Sequence, residues 1–459
     1  MMVQNPDVVI VGAGAAGIGA GLELMRLGIS HIILEAKQRV GGRAYSDTSS
    51  LGHLWDHGAH WLHSGDVNVL RFMAEKLKHK FRPENPAVTS FRSFIGGQWK
   101  VSEFDTDYVW IKLEEIVQAG RNGSDVAAES VLDRGHAMYP LLRHWCQLIY
   151  SKDPSELSTR DAGNYSDSHV NLPVEDGYGA LAARLSHGLP IRLGITVNAV
   201  EVTGQGVRLE TGSGTVTAKA CILAVPSRIM EKQRIAITPG LPAALQRAFA
   251  DVTMGYGEKV ALGFDRRVFE GFEIPFANVF DPVAPETRPL NFELHPFGRP
   301  IAVAHVGGSV ARELAAAGAE VMTGFAIDTL VKAFGADIRQ RIVASAVTGW
   351  TMDEHIGGAY SGAAPGKAEA RKVFSEPVHD RLFLAGEHVH RHYMATVHGA
   401  YETGLDAAHK AAAVLLFRWG KRPPVAAQLN SWTFRRRLPI SAGIMLNPQP
   451  VGTSIYAVE

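Results

Sequence analysis

The chain has 459 residues, 46% of them hydrophobic and 20% charged, which suits a folded globular protein rather than a disordered one. Lysine plus arginine and aspartate plus glutamate number 46 each, so the formal net charge is zero; this argues against a generally basic nucleic-acid binder and against an acidic tail protein. The length suggests about two to four domains, two cysteines cannot build a disulfide framework, and no apolar run reaches the ~18 residues of a membrane span.

The first element is Asp7-Val8-Val9-Ile10-Val11, a short β-branched run that reads as a strand. No lysine or arginine precedes it, so a signal peptide is not expected. Gly12-Ala13-Gly14-Ala15-Ala16-Gly17 follows, then a helix over Ile18–Leu27 closed by Gly28. A second strand, Ser30–Leu34, runs into Glu35. The order strand, GxGxxG, helix, strand, acid is that of a dinucleotide site. Gly12 permits a tight turn, Gly14 lets backbone approach a pyrophosphate, and Gly17 lets helix pack on strand. The amides of Ala15 and Ala16 then face an anion at the helix start. Glu35 stands where a carboxylate bonds a ribose hydroxyl, and would repel a 2′-phosphate.

Ala36-Lys37-Gln38-Arg39-Val40-Gly41-Gly42-Arg43 comes next. It resembles the R-x-GGR element of the FAD-dependent amine oxidases, which runs along the pyrophosphate. The resemblance implies cofactor contacts from Ala36, Gly42 and Arg43, the last by paired bonds to phosphate oxygens. Gly58-Ala59-His60-Trp61-Leu62-His63 is similar to a stretch of the polyamine oxidases whose backbone passes the isoalloxazine ring. His63 stands where that family has a histidine facing the substrate tunnel.

From Arg71 to about Gly163 no cofactor motif occurs. Helices are expected over Tyr108–Gly120 and around Tyr139–Tyr150. Val174–Leu181 resembles the element that returns the family's chain to the FAD domain. Strands are expected over Ile191–Val202, Val207–Glu210 and Val216–Val225. By resemblance, the Val197 backbone contacts the adenine. Cys221 is expected as a buried small hydrophobe.

Lys259 opens the strand that follows Met254–Gly257. A lysine at a strand edge is ordinarily solvated or a guard against edge pairing. The family resemblance implies instead an ammonium beside flavin N5, holding a water. Trp350-Thr351-Met352-Asp353 and Gly358-Ala359-Tyr360-Ser361 are similar to a pattern of spermine oxidase and the flavin-dependent histone demethylases. Trp350 and Tyr360 would hold the amine by cation–π attraction and desolvate it toward its neutral form.

Arg381–Glu387 and Ala395–Gly404 resemble the C-terminal signature of the same superfamily. Gly386, Glu387, Thr396 and Val397 are the implied cofactor residues, with Glu387 on cofactor hydroxyls. A helix over Val397–Phe417 would point its N-terminus at the flavin. His388–Thr396 contains no cysteine, so FAD is expected to be non-covalent. Thr396 matches the spermine oxidase and demethylase version, where monoamine oxidases carry tyrosine. The long coiled-coil insertion of the demethylases is not seen in the sequence, which disfavours histone demethylation.

The fold expected is α/β: a Rossmann-like FAD-binding domain interleaved with a substrate domain of mixed sheet and helices. The FAD domain is assembled from 1–90, 175–265 and 370–420, the substrate domain from 91–174 and 266–369, and 421–459 forms a tail. The function expected is a flavin-dependent amine oxidase, with catalytic candidates Lys259, Tyr360, Trp350, Thr396 and His63. A primary or secondary amine, polyamine-like by preference, gives a hydride to FAD; O2 becomes hydrogen peroxide. The alternatives are an L-amino-acid oxidase, a FAD dehydrogenase with another acceptor, and a non-enzymatic flavin-binding module. No metal and no nucleic acid are expected, a homodimer stays open, and a cytoplasmic location is expected. Asp66, Glu175 and Asp176 are the candidate carboxylates for a polyamine tunnel.

Overall fold

The computed structural model describes residues 5–82, 90–103, 107–269, 271–272, 276–282 and 288–419. The tail at 421–459, with Arg435-Arg436-Arg437, lies outside the described residues.

The first sheet is parallel and five-stranded. Its order is Leu382–Leu384, Ala220–Leu223, Val8–Val11, His31–Leu34 and Ile191–Arg192. Four of these strands carry only buried residues, as strands covered on both faces do. The helices Ala15–Arg26 and Val397–Trp419 pack together on one face, where Ile10, Ile33 and Phe383 meet Leu24, Ala408 and Leu415. Burial of one such leucine or isoleucine contributes roughly 1.5–3 kcal/mol.

The expected strand Val216–Val225 is two strands. Gly214–Ala218 joins a four-stranded sheet with Val197–Thr203, Gly206–Thr211 and Ala236–Thr238. Ala220–Leu223 joins the parallel sheet. The break falls where the amides of Lys219 and Ala220 both donate to the Asp7 carbonyl, at 3.0 and 3.1 Å, so the chain changes partner there. Ile191–Val202 also divides, at a turn in which Gly194 takes φ +70°.

A seven-stranded sheet forms the second layer. Its order is Ile342–Val347, Gly257–Phe264, Ile301–Gly307, Leu290–Leu294, Phe276–Phe280, Ser90–Ile95 and Gln98–Glu103. The last two make a hairpin that the sequence reading missed. Its signal was Gly96-Gly97, both at positive φ as a tight hairpin turn requires. On one face Val260, Leu262, Phe292, Ala302 and Ala304 pack against the helices Gly308–Ala317 and Ala319–Phe334. The other face is polar at one end and apolar at the other, where Ala261, Ile301 and Val303 pack on Leu51 and Trp55. Lys259, His305, Asn291 and Asn278 lie side by side across four strands, and Glu293 is one step along on the same face, two residues from Asn291.

Three helices over Tyr108–Arg121, Tyr139–Tyr150 and Thr159–Asn164 form their own core around Leu113, Ile116, Leu142 and Cys146. The two longer ones sit where the sequence places them. Asp107 caps the first through the Val109 amide at 2.8 Å.

Candidate active site

One cavity of about 840 Å³ runs from the parallel sheet to the three-helix wall. Of the catalytic and cofactor candidates named from the sequence, all but Gly17 line it: Lys259, Tyr360, Trp350, Thr396 and His63, together with Gly12, Gly14, Ala15, Ala16, Glu35, Ala36, Gly42, Arg43, Gly58, Ala59, His60, Trp61, Val197, Gly386, Glu387 and Val397. Gly17 sits behind the lining, and there it does the packing job expected of it. A β-carbon at Gly17 would stand 1.8 Å from the Gly12 carbonyl oxygen.

The dinucleotide end follows from the first strand and helix. The helix Ala15–Arg26 starts at Gly14, which offers no side-chain cap, so its first amides face the cavity unclaimed by a side chain. Gly14 and Gly42 approach closely: a β-carbon on Gly42 would lie 3.3 Å from the Gly14 α-carbon. This bare backbone cradle fits a pyrophosphate. Glu35 is held by the amides of Ala13 at 2.7 Å and Lys37 at 2.9 Å, which aims its carboxylate along the cavity edge.

Arg43 and Glu387 both line the cavity and also have protein partners. Nη1 of Arg43 donates to the Ala359 carbonyl and to Glu387 at 3.1 Å. Glu387 is held in place by protein donors. It accepts from Arg43, from the Ser361 hydroxyl at 2.7 Å and from the Ala395 amide at 3.1 Å. Burial raises its pKa, but Arg43, His388, Ser361 and Arg371 outweigh burial and hold the carboxyl below its ordinary range. Behind it, Arg371 grips Asp161 through two bonds of 2.6 and 2.8 Å. This buried pair ties the three-helix wall to the segment that carries Tyr360.

Lys259 lies where the two ends meet. Its strand is second in the sheet, so the edge reading does not apply. Nζ donates to the carbonyls of Gly58 at 2.7 Å and Asp56 at 3.0 Å and lies 3.1 Å from Nδ1 of His60. Burial draws its pKa down to about 8, against the pull of Asp56 and Glu293. Asp56 is itself fixed by Ser46 and by the Tyr178 amide at 3.0 Å.

Trp350 and Tyr360 both line the cavity, but from different anchors. Trp350 donates Nε1 to the His57 carbonyl at 3.0 Å, packs on Met254 and Ile356, and has Arg39 over its ring at 5.7 Å. Tyr360 donates its hydroxyl to the Leu148 carbonyl on the helical wall. Burial raises its pKa, so it stays a neutral donor. The two rings make no face-to-face pair among the described ring contacts. Glu258, which the sequence reading passed over, sets Trp350 in place by accepting from its amide at 3.1 Å and from Thr351 at 2.7 Å.

Thr396 is a helix cap. Its hydroxyl accepts from the Gly399 amide at 3.0 Å and donates to the Tyr393 carbonyl at 2.7 Å, starting the helix Val397–Trp419 at the cavity wall. His63 is exposed, with Nδ1 2.6 Å from Oδ1 of Asn171. Cys146 and Cys221 are buried and absent from the lining. Asp66, Glu175 and Asp176 do not line the cavity either. Asp66 binds Ser168, and Asp176 binds the Lys80 amide at 2.8 Å.

Also missed were His305, Asn291 and Glu293. His60, Glu293 and His305 bring ligand-type atoms within 4.8 Å of one another, a set a metal ion could use. The ammonium of Lys259 against His60 opposes a divalent cation there. The signal was the alternation in Leu290-Asn291-Phe292-Glu293-Leu294, where every second residue is polar.

Comparison with known proteins agrees with this geometry. Polyamine oxidase 4 of Oryza sativa subsp. japonica is 26% identical over 90% of this chain and 90% of its own. Lysine-specific histone demethylase 2 of Homo sapiens is 26% identical over 89% of this chain, which spans only 54% of that protein. Among solved structures, putrescine oxidase bound to putrescine aligns with TM-score 0.75 at 19% identity, covering 89% of this chain and 99% of that one. No helix of the described residues is long and apolar enough to cross a membrane. The family model of the flavin containing amine oxidoreductases matches residues 15–108 and 135–412. The chain belongs to that family, and it is an FAD-dependent amine oxidase.

Proposed function

We propose that the enzyme oxidises an amine held against the helical wall and passes the electrons to O2, releasing hydrogen peroxide. The observation that carries this reading is the continuity of the cavity. It joins the glycine cradle to a wall of Phe91, Trp110, Trp145, Tyr165 and Phe276, with Lys259 at the junction. Bound FAD supplies the hydride acceptor. The chain's own residues orient and desolvate the amine. An ammonium placed among these rings loses hydration, so its pKa falls and the neutral form gains. Only the neutral nitrogen has the lone pair that assists C–H cleavage. The imine then takes up water to give an aldehyde or ketone and a smaller amine. The positive charge of Lys259 at the junction supports its stabilising negative charge that develops there.

Polyamine-like substrates are favoured by the rice relative, whose match extends over nearly the whole of both chains. A second reading, an apolar or aromatic monoamine, rests on the wall itself. Among the described residues its carboxylates are Asp161 and Asp167, and Asp161 is taken by Arg371. An amino-acid substrate is disfavoured. The arginines lining the cavity, among the described residues, are Arg43 and Arg234. Arg43 bonds Glu387 through Nη1, and Arg234 lies in the lining beside Ile229 and Ile235.

We propose further that FAD is held without a covalent bond, since neither cysteine reaches the cavity. Acid precipitation should release all the yellow colour into the supernatant. An aerobic peroxide assay across monoamines, diamines, polyamines and amino acids tests the substrate. Flavin bleaching by amines under argon with no oxygen uptake in air would favour a dehydrogenase.

A further inference from the structure

Beneath Lys259, on the side away from the helical wall, the structure holds a second and much smaller chamber. Its volume is about 30 Å³, and Asp56, His60, Lys259, Glu293 and Arg299 supply its polar lining. That is room for one or two waters, and the site is polar enough to keep them. Half-buried Phe297 and Arg299 flank exposed Gly298 at the outer end.

We propose that Glu293 is a proton-holding residue which resupplies Lys259 through water in this chamber. The proposal rests on the oxidase reading above.

The need for it is one of place. Reduction of O2 to hydrogen peroxide takes two electrons and two protons. The hydride abstracted from the amine brings two electrons and one proton. The second proton balances the one the amine nitrogen gives up, as ammonium or iminium, so no net proton enters; but that proton is released on the substrate side, and an equivalent must be delivered on the Lys259 side. Lys259 is the cation at the junction, and once it gives up a proton it must recover one. The main cavity, closed by substrate, is a poor source. The chamber reaches Lys259 from behind.

The geometry suits this role. Both Lys259 and Glu293 border the chamber, so once Lys259 has given up a proton its lone pair can accept from a water that Glu293 holds. His60 cannot carry charge there. Its ring is pushed well below its ordinary pKa by burial and by the cations and rings around it. It accepts from Lys259 at Nδ1 and so bears its hydrogen on Nε2, 3.8 Å from Glu293 Oε2. That arrangement fixes Lys259 and leaves the proton to the carboxyl. The groups facing Glu293 from every side are Lys259 on the neighbouring polar face, Asp56 and His60 on the 56–60 segment, Arg299 beyond the turn, and His305, which stacks on His60 at 5.5 Å. Burial raises the Glu293 carboxyl to about 7, more than Lys259 and Arg299 lower it. It therefore carries a proton over much of the neutral range, and it can regain one from water at the Arg299 end.

The test uses the FAD-loaded full chain and its Glu293→Gln and Glu293→Asp variants, with bound flavin confirming the fold. Infrared difference spectra across pH should show a protonated-carboxyl stretch near neutrality, lost in Glu293→Gln and kept in Glu293→Asp. Reoxidation of the chemically reduced enzyme by O2 should slow on the order of a hundredfold in Glu293→Gln, with its pH dependence flattened, and should recover in Glu293→Asp. No such stretch in the wild type, or unchanged reoxidation in Glu293→Gln, overturns the proposal while leaving the oxidase reading intact. A wild type that does not react with O2 overturns both.

Discussion

Nζ of Lys259 lies 3.1 Å from Nδ1 of His60. The ammonium therefore has a neutral ring as a partner, and the Gly58 and Asp56 carbonyls complete its bonds. A lysine so enclosed is held in one place, at the junction of the glycine cradle and the helical wall.

Lys259→Met should keep the shape of this junction and remove its charge. We expect FAD content to be retained and reoxidation by O2 to slow by roughly 10²–10⁴-fold. Stopped-flow mixing of the reduced enzyme with oxygen measures it. Equal rates in both proteins would take Lys259 out of the oxidative step.

Gly14 and Gly17 should separate cofactor binding from folding. A β-carbon at Gly14 meets only the Gly42 α-carbon, at 3.9 Å, and its φ of −74° suits alanine. Gly14→Ala should therefore leave the apoprotein's melting temperature nearly unchanged while weakening FAD tenfold or more (about 1.4 kcal/mol). Gly17→Ala drives its methyl into the Gly12 carbonyl and should destabilise the apoprotein itself by about 1–3 kcal/mol. Thermal melts beside flavin titrations of the two apoproteins decide it.

Tyr360→Ala should cost more amine turnover than FAD. The ring leaves the cavity, and the Leu148 carbonyl loses its donor. Tyr360→Phe isolates the second effect, at about 1–3 kcal/mol for an acceptor left unpaired. If flavin content falls in parallel with turnover, packing is all that Tyr360 provides.

Stability should carry the mark of Glu293. Its folded pKa, about 7, lies above the ordinary carboxylate value, so between roughly pH 4.5 and 7 the folded state binds the extra proton. Stability therefore falls as pH rises through that window. Glu293→Gln removes this slope. Its melting temperature relative to wild type should rise by about 2–5 °C between pH 5 and pH 8. A difference that does not change with pH would mean that the carboxyl titrates normally.

The dinucleotide half was legible because its chemistry is backbone chemistry. Glycine spacing, a terminal acid and two β-branched runs are local in the chain, and local pattern carries them. Lys259, Trp350 and Tyr360 were placed in the cavity by motif resemblance. Their neighbours were not seen, since Glu293 and His305 belong to no contiguous motif, and Glu258, though next to Lys259 in sequence, meets Trp350 only in the fold. They converge only when strands pair: Lys259 meets His305 across one ladder, and His305 meets Asn291 across the next.

By itself, then, the sequence determined the α/β class and the glycine cradle, because short-range turns and strand patterns specify them, and resemblance of its motifs pointed to the family. Only the tertiary structure decided that Arg43 pairs with Glu387, that Thr396 caps a helix, and that a buried carboxyl stands behind Lys259. Those outcomes depend on which charges are buried together, and burial is a property of the whole fold.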